Sequence, residues 1–197
     1  MLISRSTELN SININNIGVK IGMKPFDLDT LEGVPLDWKE TVSQMILGLN
    51  LKVGTAFLTI HGKQIKASET HRRGGAHIDG NFLMKGWGGN QGGNGWKVDG
   101  NGIGLTQSEH NRSYCSRNGG MLIASTYPAC MGWNGNYKGE SGIGGDCSNI
   151  ELGEGFIMKP NTVYYGNSQF IHESLPLDKD VHRTLIRITL PENHPIQ

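Results

Sequence analysis

Alternation dominates this chain. Val53, Thr55, Phe57 and Thr59 occupy every second position, and so do Arg183, Leu185 and Arg187 within the run from Val181 to Leu190. A period of two is the mark of a strand, because successive side chains point to opposite faces. A turn at His61-Gly62-Lys63 is expected to lead from the first of these strands into a second near Gln64 to Ala67. Met121-Leu122-Ile123-Ala124 is an apolar run behind a glycine pair. Gly155 to Pro160 and Thr162-Val163-Tyr164-Tyr165 read as a strand, a Pro-Asn turn and a strand. Ile12, Ile14, Ile17, Val19 and Ile21 hint at an edge strand in a polar, Asn-rich N-terminus that Pro25 and Pro35 punctuate. Helical spacing occurs convincingly once, at Val42, Met45, Ile46 and Leu49. Asp37 is placed to cap it and Glu40 stands three residues on. The helix should run from about Trp38 to Gly48 or Asn50. Short strands behind one helix indicate a mostly β single domain, a sandwich or barrel, with residues 1–50 as an N-terminal cover and 51–197 as the β core.

Composition changes the picture in two places. Lys+Arg 18 balances Asp+Glu 18, so no global field draws the chain to nucleic acid. Gly 29 is about twice the ordinary share. Nine of those glycines fall between Gly86 and Gly104, around Trp87 and Trp96. Such a run forms no regular element cheaply, and two tryptophans are costly to leave in water, which favours a substrate lid over a plain surface loop. A second loop rich in Gly, Asn and aromatics is expected from Tyr127 to Gly145, with Trp133 as another substrate candidate. The N-terminus lacks an apolar stretch of signal-peptide length, and no run approaches a membrane span, so the expectation is a cytoplasmic protein without membrane partners. Cys115, Cys130 and Cys147 are odd in number and widely spaced, which reads as free thiols.

The chemistry gathers in two segments. In His77-Ile78-Asp79 the period of two puts an imidazole and a carboxylate on one face. Ninety-five residues after His77 comes His172, followed by Leu175-Pro176 and the strand carrying Arg183 and Arg187. Two arginines on the inner face of a half-buried strand require an anionic partner. Two histidines, one carboxylate and an inward arginine compose a metal site with an anion clamp beside it. His61, His71, His110, His182 and His194 fit no ligand pattern, and His182 should face outward.

In this order, His77-x-Asp79, then His172 with Leu175-Pro176, then Arg183, the segment from about Thr70 to Pro191 resembles the iron(II)- and 2-oxoglutarate-dependent dioxygenase superfamily. The HESLPL stretch is similar to its prolyl-hydroxylase-like members, and arginines eleven and fifteen residues after His172 resemble the pair in its taurine-dioxygenase-like members. The resemblance implies a double-stranded β-helix, a jelly roll of the cupin kind. It implies iron(II) held by His77, Asp79 and His172 with about three positions left for a chelating keto acid and dioxygen. It further implies 2-oxoglutarate on Arg183, with Arg187 and Thr189 as the fallback or Arg187 on an acidic group of the substrate, and Ser125 or Thr126 as weaker donors. The implied reaction couples decarboxylation of 2-oxoglutarate to hydroxylation of a small acid or a peptide side chain, with nucleic acid third. Against it stand a non-catalytic cupin-like binding module and a structural jelly roll. A binding module has no need of an inward arginine beside an intact triad.

Overall fold

The computed structural model describes residues 1–50, 54–79, 120–142 and 145–190. These residues form β1 (Leu2–Ser4), β2 (Ser6–Ser11), β3 (Val19–Asp27), α1 (Lys39–Met45), β4 (Thr55–Ile65), β5 (His77–Ile78) and β6 (Gly120–Ser125). They continue with β7 (Cys130–Trp133), β8 (Gly135–Tyr137), β9 (Phe156–Ile157), β10 (Thr162–Asn167), β11 (Ile171–Ser174) and β12 (Val181–Thr189). Every ladder is antiparallel. A six-stranded sheet runs β2-β10-β6-β12-β4-β3, a four-stranded sheet runs β5-β11-β7-β9, and β1 pairs with β8.

The alternation read along the chain assigns the faces of the large sheet. Ile186 pairs with Ile60 and Ala124, and Ile188 with Leu58 and Leu122. These residues share one face and pack in one cluster with Val42, Met45 and Ile46 of the helical region. The opposite face carries Ile123, Tyr164 and Leu185. They pack with Cys130, Met158 and Phe170, bringing the four-stranded sheet against the six-stranded one as a β-sandwich. Among the described residues no helix is long and apolar enough to cross a membrane.

Five local expectations are corrected. There is no turn at Gly62: β4 is one strand of eleven residues. The glycine serves close approach instead, because a Cβ there would lie 2.0 Å from the Ile17 carbonyl oxygen as the N-terminal segment crosses. The loop expected from Tyr127 contains β7 and β8, where ladder bonds to β11 and β1 overrode the turn-like composition. The α-helix stops at Met45, and the chain continues through 3-10-type bonds from Leu47 to Gln44 and from Leu49 to Ile46. Its N-cap is Trp38, with no side-chain cap from Asp37, whose residue lies in a preceding 3-10 turn, Leu36–Trp38. The N-terminal stretch yields strands at both edges of the large sheet, β2 and β3, where one edge strand was expected. Trp87, Trp96, Cys115, His110, His194 and the glycine run lie outside the described residues.

Candidate metal centre

β5 is only two residues long, and its placement comes from both sides. On one side it pairs with β11, where His77 stands directly opposite His172. On the other, Asp146 bridges to His77, and Gly145 fits only as glycine, since a Cβ would meet the Ile78 carbonyl at 2.1 Å. Directly opposed residues of an antiparallel pair point to one face, so the two imidazoles lie side by side with ring centroids 4.7 Å apart. Asp79, two residues beyond His77, returns to the same face. One ligand atom from each of His77, Asp79 and His172 lies within 4.8 Å of the others, and both histidines are buried. The expected triad is therefore assembled.

Hydrogen bonds set the rings for metal binding. His77 Nδ1 donates to the Gly75 carbonyl at 2.7 Å, and His172 Nδ1 donates to the Phe170 carbonyl at 3.0 Å. A carbonyl only accepts, so each Nδ1 carries a proton, which leaves Nε2 as the ring nitrogen available to a metal. Backbone partners of this kind orient metal-binding histidines. The Phe170 ring stacks on His172 at 5.6 Å and holds its plane. Burial, and then the neighbouring His172, lower the His77 pKa to about 4, so the ring is neutral near pH 7. Burial pushes Asp79 up, but the Arg187 guanidinium and the two histidines outweigh it and hold the carboxyl well below its usual range. At neutral pH the site offers an anionic oxygen and a neutral nitrogen from His77, with a second Nε2 from His172. That donor set fits a divalent transition metal.

The two arginines fall on the inner face as expected and have different partners. Arg187 Nη1 bonds Asp79 Oδ2 directly, and its Nη2 meets the Met23 sulfur at 3.7 Å. Met23 sits where β3 slips register against β4, with φ of 46°, and both its amide and its sulfur contact the Thr59 hydroxyl. Nothing in the pattern of the N-terminal segment marked this methionine. Arg183 has no exposed surface, and its contacts are neutral: Nε to Ser125 Oγ at 2.8 Å, Nη1 to Ser174 Oγ at 3.2 Å and Nη2 to Cys130 Sγ at 2.8 Å. Among the described residues it forms no ion pair. A fully buried guanidinium without a counter-charge is expensive.

Trp133, expected in a loop as a substrate candidate, lies on β7 and faces a core cluster. It is 7% exposed and packs with Leu2, Ile78, Ile150 and Ile171, because β7 turns it into the satellite core beneath β5 and β11. Thr189 is half-buried at the end of β12, paired with Phe57 and Met121. His182 lies on the face opposite Arg183 and bonds Asn16 through Nδ1 at 2.8 Å. Tyr164 and Tyr165 are both core residues, one on each face of the large sheet. Cys130 and Cys147 are buried free thiols. No protein-family profile, curated protein or solved structure matches the chain. The site must be read from its own chemistry.

Proposed function

We propose that this protein is an iron(II)- and 2-oxoglutarate-dependent oxygenase on a double-stranded β-helix, acting on a small acid or a peptide side chain. The observation that carries the reading is the company of the triad. His77, Asp79 and His172 converge on one face of the small sheet, and the facing sheet presents a buried Arg183 whose hydrogen-bond partners among the described residues are all neutral. A plain metal-binding or structural module gains nothing from such an arginine.

His77, Asp79 and His172 would hold the metal through two Nε2 atoms and a carboxylate oxygen. When bound, iron(II) with a keto acid and dioxygen supplies oxidation of a C–H bond. The chain's own residues do the rest. Arg183 takes the terminal carboxylate of the keto acid, its planar fork suiting a bidentate contact, with Ser125 and Ser174 fixing its orientation. Arg187 keeps Asp79 ionised and aimed. The buried flanks formed by Phe170, Leu185 and Ile123 keep water away, which strengthens the charge contacts inside.

The test is anaerobic addition of iron(II) and 2-oxoglutarate to the purified protein. A weak visible charge-transfer band is expected, absent in Asp79→Ala. Iron binding without the band would leave a metal-binding module. Absence of iron binding would leave the Arg187 to Asp79 contact as a structural ion pair and sink the proposal.

A further inference from the structure

Four buried side-chain polar atoms among the described residues lack a hydrogen-bond partner: His61 Nδ1, both ring nitrogens of His71, and Arg187 Nε. Buried polar atoms are nearly always partnered, and each exception is destabilising. Their location is therefore informative. On β4, His61 stands opposite Leu185, between Arg183 and Arg187 on the neighbouring strand, and on the same inner face. His71 faces it, with ring centroids 4.8 Å apart and planes tilted by 43°. His71 is 3% exposed. Its chain neighbours are tied to β11 and the residues after it: Thr70 bridges to Pro176, and the Arg72 amide donates to Ser174 Oγ, the same hydroxyl that accepts from Arg183. All four orphan atoms thus gather on one patch beside the triad.

The sign of the surroundings selects the occupant. The fixed charges that bear on these two rings are all cationic: Arg183, Arg72 and Lys63 on His71, and Arg72, Lys63 and Lys20 on His61. A metal ion is the wrong guest for such a place. Two neutral imidazoles offer two N–H donors, Arg183 has N–H groups beyond the three already used, and a carboxylate has about four lone-pair sites to receive them. We infer that the facing imidazoles of His61 and His71 are carboxylate-binding residues, seating the terminal carboxylate of a short dicarboxylate ligand together with Arg183. Only the naming of that ligand as the keto acid rests on the function proposed above. Burial, and then the nearby Arg183, push the His71 pKa down to about 3, which agrees with a ring lodged among cations before an anion joins them.

The experiment measures calorimetric binding of 2-oxoglutarate, succinate and pyruvate to the Mn(II)-loaded protein. Pyruvate carries the chelating end of a keto acid without the distal carboxylate, and succinate carries the distal carboxylate without the keto group. His71→Phe keeps the ring and removes its nitrogens. It should weaken 2-oxoglutarate and succinate by roughly 10- to 100-fold, as loss of a hydrogen bond to a charged group does, and leave pyruvate and Mn(II) unchanged. His71→Gln, which keeps a donor, should recover most of the affinity. Equal dicarboxylate affinity in wild type and His71→Phe overturns the inference, as does failure of the wild type to bind any dicarboxylate. If neither keto acid binds while succinate binding still depends on His71, the oxygenase reading fails and the carboxylate seat stands. Should the variants fail to fold, the wild type decides: succinate must shift the side-chain nitrogen resonances of His61 and His71, and unmoved resonances overturn the inference.

Discussion

On β12, Ile186 and Arg183 are three residues apart and equally without exposed surface, yet they sit in opposite worlds. Ile186 looks towards α1 in an apolar cluster with Leu58, Ile60, Leu122, Val163 and Ile188. Arg183 looks into the sandwich at Ser125, Ser174 and Cys130, with His61 and Leu185 in the adjacent rank of its sheet. One set of strands thus presents an outer face with an apolar core under α1 and an inner face crowded with charge and imidazole. The outer face supplies stability, and the inner face spends some of it on a site.

The largest effect expected from breaking this contrast is on the outer face. Leu58→Ala or Ile186→Ala leaves a cavity that the strands above and below cannot collapse. It should cost about 2–5 kcal/mol of unfolding free energy, read by urea denaturation. Metal affinity of the folded fraction should be untouched. A loss of metal affinity with little loss of stability would mean that the two faces are coupled and not divided as described.

Mild acid should act first on the buried imidazoles of the inner face. His71, with its folded pKa at about 3, and metal-free His77, at about 4, both lie below the ordinary histidine value of 6.5. Above pH 6.5 both rings are neutral folded or unfolded, and stability is flat. As pH falls, the unfolded chain takes up protons that the folded rings refuse. Each ring should then remove roughly 1.4 kcal/mol per pH unit until its own folded value is reached. Denaturation of the metal-free protein between pH 7 and 4.5 checks the slope, and His71→Phe should make it shallower by that ring's share. An unchanged slope in that variant would mean that His71 titrates normally and is not shut in among cations.

This division was legible in the sequence where side-chain period and fold agree. Arg183, Leu185 and Arg187 share the inner face because alternation along a strand is enforced by the backbone, and His77 and Asp79 return to one side for the same reason. The pairing of His77 with His172 followed from the order of the motifs and not from any local signal. His71 was passed over because no ligand spacing links it to His77, and its importance lies in a contact with His61 across the gap. Gly62 read as a turn because glycine commonly is one, whereas here it makes room for the backbone at Ile17. Trp133 read as a loop aromatic because its neighbours Asn134 and Gly135 are turn residues, while the ladder to β11 decided otherwise. Met23 reaches Arg187 through a register slip that no periodicity announces.

The smallest expected effect on stability belongs to Arg183 itself, and it discriminates most sharply between a site and a structural tie. Arg183→Met keeps the volume and removes a buried charge that has no anionic partner among the described residues. Replacing buried charges by apolar residues of similar size is often neutral or stabilising. The hydroxyls it leaves behind keep other bonds: Ser125 Oγ still donates to the Tyr127 carbonyl at 3.1 Å, and Ser174 Oγ still accepts from the Arg72 amide. The melting temperature should therefore stay level or rise, while the affinity of the Mn(II)-loaded protein for succinate and 2-oxoglutarate collapses. If the melting temperature instead falls by the amount that loss of an outer-face leucine produces, Arg183 is there to tie β12 to β6, β7 and β11. The inner face would then be a second core made of polar contacts, not a place kept for a ligand.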